Sequence, residues 1–153
     1  MYSRILVPID GSPTAQRGFQ EALSLAKRLD ASLVLLHVVD AYPMMMEMAT
    51  ATTWERIADG LRQAGRAVLD AAHREAVEQK VACEAILEDV AAARVADVIL
   101  EQARSRHCEL IVMGTHGRRG IGRALLGSDA ELVLRQSPMP VLLVREPVTG
   151  SSR

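Results

Sequence analysis

The stretch ELIVMGTHGRRGIGRALLGS, residues 109–128, joins an apolar run to a segment rich in glycine. An apolar run without polar alternation is typical of a strand covered on both faces of a sheet, and residues 109–113 fit this pattern. Glycine lets a backbone turn sharply and lie close to a ligand, because it has no Cβ. The stretch therefore predicts a buried strand, a glycine-rich loop and a short helix over residues 129–136.

Strands and helices alternate along the rest of the chain in the same way. Apolar runs predict strands, and apolar residues at three- and four-residue steps predict the helices between them. The further predicted strands are residues 3–10, 32–39, 81–87 and 140–144, and the further predicted helices are residues 13–29, 54–79 and 92–106. Ser12 is expected to cap the first helix, with Pro13 at its first position. Residues 40–53, which include the methionine cluster 44–48, predict a loop that acts as an apolar cover or contact surface.

This alternation predicts the α/β class, as a doubly wound, Rossmann-like sheet of five parallel strands with helices on both faces. With the strand order 3-2-1-4-5, the order reverses between the first and fourth strands, and ligands bind at such reversals. Asp10 and Gly114 are then expected to face one crevice. The domain is expected to span residues 1–147, followed by a disordered tail over residues 148–153.

Composition limits the partners that this chain of 153 residues can have. Its formal net charge is -1 and its aromatic content is 3%, so it has neither the basic field nor the stacking surfaces that nucleic-acid binding uses. No apolar run is long enough to cross a bilayer, so we expect no membrane partner. Cys83 and Cys108 form no C-x-x-C pair and no apolar leader is visible, so a cytoplasmic location is expected. The isolated histidines have no metal-ligand spacing, so no metal site is expected.

The glycine-rich loop and the helix after it can hold phosphate, because unpaired N–H groups and a positive dipole end meet at a helix N-terminus. Two familiar phosphate motifs do not match. A P-loop would need a lysine before the Ser or Thr, and the segment that starts at Gly122 lacks it. A dinucleotide-binding G-x-G-x-x-G fails as well, because the glycine after Gly120 and Gly122 comes only at Gly127.

The spacing that does match is G-x2-G-x9-G-S, formed by Gly114, Gly117, Gly127 and Ser128. With the opening ILVPIDGS of residues 5–12, the LIVMGTHG of residues 110–117 and the closing PVLLV of residues 140–144, it resembles the ATP-binding group of the universal stress protein family over residues 2–146. The resemblance implies that ATP binds, with or without Mg²⁺, and that the protein is a dimer through its last strand.

The resemblance also implies which positions contact the nucleotide. Residues near the adenosine would be Pro8, Ile9, Asp10 and, through its backbone, Val38, whereas those near the ribose and first phosphates would be Met113, Gly114, His116 and Gly117. Gly127 and Ser128 would hold the distal phosphates, and Arg119 is a further candidate for phosphate contact. Asp129 departs from the apolar residue common in ATP-binding relatives, and its carboxylate would repel phosphate.

Several of these residues also have simpler interpretations. Asp10 can cap the turn after the first strand, Ser128 can be the N-cap of the last helix, and Arg118, Arg119 and Arg123 can be solvated. The function predicted is an ATP-binding stress-response regulator or sensor without a catalytic residue. The alternative is a nucleotide-independent dimeric interaction protein of the same fold. A hydrolase is disfavoured, because no general base, P-loop lysine or pair of metal-binding carboxylates can be assigned.

Overall fold

The computed structural model describes residues 1–41, 50–90, 93–116 and 126–145. Strands and helices alternate throughout these ranges, as expected from the apolar patterns. The strands are β1 (Arg4–Pro8), β2 (Ser32–Val39), β3 (Cys83–Asp89), β4 (Leu110–Gly114) and β5 (Val141–Val144). The helices of the described part are α1 (Pro13–Leu29), α2 (Ala51–Glu78), α3 (Val95–Ser105) and α4 (Ser128–Gln136).

The five strands form one parallel sheet in the order β3-β2-β1-β4-β5. In the centre, β1 pairs with β2 from Arg4↔Ser32 to Pro8↔Leu36, and on its other side it pairs with β4. The predicted sheet and its strand order are confirmed. The strand order reverses between β1 and β4, so the carboxyl ends of these two strands border the crevice where ligands bind in this class of sheet.

Two apolar clusters lie on opposite faces of the sheet, because successive residues of a strand point to opposite sides. On one face, α1 and α2 cover Ile5, Val7 and Leu35. On the other face, α3 and α4 cover Leu6 and Val34. Burial of each such side chain contributes about 1.5–3 kcal/mol to folding, so both faces stabilise the sheet and hold its carboxyl edge in place.

The turns that lead from α1, α2 and α3 into the following strands share one geometry. Each contains a left-handed residue that is not glycine, with φ of 55° at Asp30, 61° at Lys80 and 54° at His107. The next residue donates its N–H back across the helix end in every case: Ala31 to the Ala26 carbonyl, Val81 to Ala76 and Cys108 to Ala103, at 3.0, 2.9 and 2.8 Å. This is the Schellman arrangement, in which glycine normally takes the left-handed position.

The predicted cap of α1 is confirmed, since Ser12 is the N-cap and Pro13 is the first residue of the helix. The predicted start of α2 at residue 54 is wrong. Thr50 caps the helix through its hydroxyl, which accepts from the N–H of Thr53, so residues 51–53 belong to α2 instead of the loop. The methionine cluster 44–48 and the predicted tail over residues 148–153 lie outside the described residues.

The predicted bounds of β3 and α3 are also shifted. Strand β3 starts and ends two residues later than expected, because its backbone stays paired with β2 through Val38↔Glu88 and Val39↔Asp89. Helix α3 starts at Val95, since the Asp97 carboxylate accepts from the Arg94 N–H and so ends the preceding turn. No helix among the described residues is long and apolar enough to cross a membrane.

Candidate functional site

The turn from β1 into α1 forms one wall of the crevice. Gly11 has a φ of 81°, and the Asp10 carboxylate accepts from the Ser12 N–H at 2.8 Å. The Ser12 hydroxyl in turn accepts from the Ala15 N–H at 3.2 Å. Asp10 therefore performs the turn role that its sequence context allows, and it lies half-buried at the end of β1, beside the point where the strand order reverses.

The end of β1 is fixed to β2 by a buried histidine. The Ile9 N–H donates to the Leu36 carbonyl, and the Ile9 carbonyl lies 2.8 Å from Nδ1 of His37. A carbonyl oxygen can only accept, so Nδ1 carries the hydrogen and donates it. His37 is 5% exposed, and its ring fits against Gly65 of α2, where a Cβ would lie 2.5 Å from Cδ2. His37 thus has a structural role, because its ring joins the end of β1 to β2 and packs against α2.

The end of β4 lies very close to α1. A Cβ at Gly114 would lie 2.6 Å from the carbonyl carbon and 2.7 Å from the carbonyl oxygen of Thr14. A Cβ at Gly18, one turn further along α1, would lie 3.1 Å from the Gly114 nitrogen. Gly114 was predicted to let the backbone approach a ligand. The close packing against α1 is by itself enough to require glycine at this position, whether or not a ligand binds.

Thr115 and Gly127 close the base of the glycine-rich loop. The Gly127 N–H donates to the Thr115 carbonyl at 2.8 Å, and the Thr115 N–H donates to the Val144 carbonyl at 3.0 Å. The Thr14 hydroxyl donates to the His116 carbonyl, so the start of α1 is tied to the same place. Thr115 Oγ1 lies 2.8 Å from His116 Nδ1. The start of α1, the end of β4, the end of β5 and the start of α4 therefore meet here.

Helix α4 begins at this closed base and points its N-terminus at it. Gly127 is the N-cap and has no side chain to cap the helix, while Ser128 is the first helical residue. Of the two roles considered for Ser128, that of N-cap is taken by Gly127, because the chain enters helical geometry one residue earlier than expected. Ser128 is exposed, and Asp129 lies half-buried in the first turn, where its charge complements the helix dipole.

The predicted site residues that can be placed lie along the carboxyl edge of the sheet and at the start of α4. Pro8, Ile9 and Asp10 lie at the end of β1, Val38 near the end of β2, Met113, Gly114 and His116 at the end of β4, and Gly127, Ser128 and Asp129 at the start of α4. Gly117 and Arg119 lie outside the described residues, as do Arg118 and Arg123. Within the described ranges, no group of three His, Cys, Asp or Glu side chains could hold a metal ion.

Four residues of this region were missed by sequence reasoning: Thr14, Gly18, Gly65 and Thr115. Thr115 had a usable signal, because it stands inside the motif between Gly114 and His116. The others act through contacts between segments far apart in the chain, and nothing in their local sequence indicates these contacts.

The two cysteines take no part in the site. Burial raises the pKa of both thiols, and for Cys108 the neighbouring Arg4 and Arg106 only partly oppose this effect. Protonated thiols are poor nucleophiles, so the surroundings of both cysteines favour a structural role over a reactive one.

Comparison with known proteins identifies the relatives of this chain. The model of the universal stress protein family matches residues 1–145. A universal stress protein of Methanocaldococcus jannaschii is 35% identical over 96% of this chain and 84% of its own length. A solved structure of a family member from Burkholderia pseudomallei is 36% identical, covers 94% of this chain and 96% of that chain, and has a TM-score of 0.77.

A universal stress protein solved in complex with cAMP is also similar. It is 25% identical, covers 94% of this chain and 97% of that chain, and has a TM-score of 0.67. The family match covers nearly the whole chain. The chain belongs to the universal stress protein family.

Proposed function

We propose that this protein is a stress-response regulator that binds an adenine nucleotide, ATP in the first place, in the crevice between the carboxyl ends of β1 and β4. The observation that carries the proposal is the position of α4. Its uncapped N-terminus is held at the strand-order reversal by the bond from Gly127 to Thr115. A phosphate at this helix end would accept from the N–H groups of the first turn and complement the dipole.

Different residues around the crevice are proposed to contact different parts of the nucleotide. Ile9, Asp10 and the backbone of Val38 are proposed to contact the adenosine, while His116 and Ser128 are proposed to contact phosphate oxygens, with Mg²⁺ optional. The relative that binds cAMP supports an adenine ligand. Asp129 opposes it, because its carboxylate lies in the first turn of α4 and repels phosphate.

We infer binding without turnover. His116 and Ser128 can donate to phosphate, we assign no described side chain to the activation of water, and the described residues include no metal-binding cluster. Phosphate release from ATP should therefore stay near background. A steady rate of about one per second or more, lost in Ser128→Ala, would show that the protein is an enzyme.

Calorimetry with ATP, with and without Mg²⁺, tests the binding proposal. Wild-type protein should bind, and Gly127→Val should lose binding, because a branched side chain at the N-cap occupies the space before the first turn of α4. Gly60→Val is the control, since no atom lies within 4 Å of a Cβ at that position of α2. If wild type shows no heat with millimolar ATP and Mg²⁺, the protein is better explained as an interaction protein that needs no nucleotide.

We also propose a homodimer through β5, because the two edges of the sheet differ in charge. The β3 edge carries Glu84, Glu88 and Asp89, which discourage pairing with another strand. The β5 edge, Val141–Val144, carries no charge, and Leu142 is 36% exposed. Antiparallel pairing of β5 with its copy about a two-fold axis would cover this edge.

Light scattering with two proline variants tests the dimer. The carbonyls of Pro140 and Val144 accept from β4, so by the two-residue period of a strand the N–H of Leu143 points away from the sheet. Leu143→Pro should therefore convert dimer to monomer while the fold survives. Leu142→Pro removes a donor that faces β4 and should lower the melting temperature instead, and Ser151→Pro should change neither. A wild-type monomer at micromolar concentration would refute the dimer.

A further inference from the structure

Thr115 is buried at the base of the glycine-rich loop, where it is 3% exposed. Its backbone is fixed on both sides, because its N–H donates to Val144 and its carbonyl accepts from Gly127. The fixed backbone sets the direction of the Cα–Cβ bond, and burial leaves this β-branched side chain few other rotamers. The fold therefore sets the direction of the Thr115 hydroxyl.

That hydroxyl contacts the imidazole of the next residue. Thr115 Oγ1 lies 2.8 Å from Nδ1 of His116, within normal hydrogen-bond distance. The main chain of His116 is held separately, since its carbonyl accepts from the Thr14 hydroxyl. Two threonines thus fix His116, one through its backbone and the other through its ring.

The other ring nitrogen of His116 is buried and has no hydrogen-bond partner in the part of the chain that the structure describes. Buried polar atoms are nearly always paired in folded proteins, so an orphaned one beside a crevice calls for an explanation. A neutral imidazole carries one hydrogen. If the Thr115 hydroxyl donates to Nδ1, that hydrogen is on Nε2, which then can donate to an anion.

We propose that Thr115 is a positioning residue, whose buried hydroxyl donates to Nδ1 of His116 and so presents His116 as an Nε2–H donor to a phosphate group of the ligand. The assignment rests on the nucleotide-binding function proposed above, and it adds the residue that sets the orientation and tautomer of the donor. Thr115 itself does not touch the ligand.

The test compares Thr115→Val, which has the same shape without the hydroxyl, with Thr115→Ser, which keeps the hydroxyl. Each variant is titrated calorimetrically with AMP and with adenosine, which lacks the phosphate. Thr115→Val should bind AMP about tenfold more weakly and adenosine about as well as wild type, because only the phosphate contact is lost. Thr115→Ser should bind AMP about as well as wild type.

Equal losses of AMP and adenosine affinity in Thr115→Val would indicate general damage to the crevice and overturn the assignment. So would wild-type AMP affinity in Thr115→Val, or a Thr115→Ser variant as weak as Thr115→Val. A wild type that binds neither ligand refutes the proposed nucleotide function instead.

A measurement on the ring needs no nucleotide and no folded variant. Nitrogen-15 NMR of His116 in ligand-free wild type at a pH where the ring is neutral should show the hydrogen on Nε2. If the Thr115→Val variant folds, the Nδ1 resonance of His116 should shift in it, because that nitrogen no longer accepts a hydrogen bond from the Thr115 hydroxyl. A hydrogen on Nδ1 in wild type would overturn the proposal whatever the calorimetry shows.

Discussion

Substituting Gly65 by alanine should destabilise the protein, whereas the same substitution at Gly60 in the same helix should stabilise it. Alanine is favoured over glycine in a helix by about 1 kcal/mol, and at Gly60 nothing lies within 4 Å of the added methyl group. At Gly65 the methyl group would lie 2.5 Å from Cδ2 and 2.8 Å from Nε2 of His37. Overpacking of this kind costs about 1–3 kcal/mol.

His37 cannot move away freely, because its Nδ1–H is bonded to the Ile9 carbonyl. Loss of that buried bond adds about 1 kcal/mol to the overpacking cost and offsets the gain in helix propensity. The net expectation for Gly65→Ala is a loss of about 2 kcal/mol, or about 4–8 °C in melting temperature for a chain of this length. Gly60→Ala should raise the melting temperature by about 2–4 °C.

Urea denaturation of wild type and both variants measures the free energy of unfolding. Relative to wild type, the midpoint should fall in Gly65→Ala and rise in Gly60→Ala. A double-mutant cycle with His37→Ala identifies the cause, since most of the cost of Gly65→Ala should vanish when the ring is absent. Nucleotide affinity should fall in Gly65→Ala as well, because Ile9 borders the proposed adenosine site. The reasoning is refuted if Gly65→Ala is as stable as Gly60→Ala, or if the cycle shows no coupling.

Three further predictions concern the surface. His107→Gly should raise stability by about 1 kcal/mol in thermal melts, because glycine takes the left-handed conformation without strain; an unchanged or lower melting temperature would contradict this. Asp129→Asn should tighten ATP binding about threefold in calorimetry, whereas the ion-paired Glu131→Gln should have no such effect. Hydrogen bonds from Ser3 lower the pKa of Glu109, so wild type should exceed Glu109→Gln in melting temperature at neutral pH. This advantage should disappear as the pH falls below the folded-state pKa of Glu109, and a constant difference down to low pH would rule the explanation out.

Most of the fold was predictable because it depends on local patterns. Apolar runs located every strand, and the alternation of strands with helices is sufficient to predict a parallel sheet. The errors lie at element ends, where one polar contact decides the boundary. Thr50 capping α2 and Asp97 ending the turn before α3 are contacts of this kind.

The candidate site was predictable only as a set of positions along the chain. The glycine spacing and the order of the strands indicate which residues gather at the crevice. They do not indicate that Gly114 is required by α1, or that Gly65 makes room for His37. Such requirements arise when segments distant in sequence approach within van der Waals contact, and local periodicity carries no record of that approach.

The bond between Gly127 and Thr115 makes the loop that begins at His116 a separable module. Its two ends are held a hydrogen bond apart, and β4, β5 and α4 fix both of them. The entropy of closing such a segment grows only with the logarithm of its length, at about 0.6 kcal/mol for each doubling. Insertions and new side chains there can therefore accumulate with little penalty to folding, and ligand preference can diverge between relatives while the scaffold stays the same.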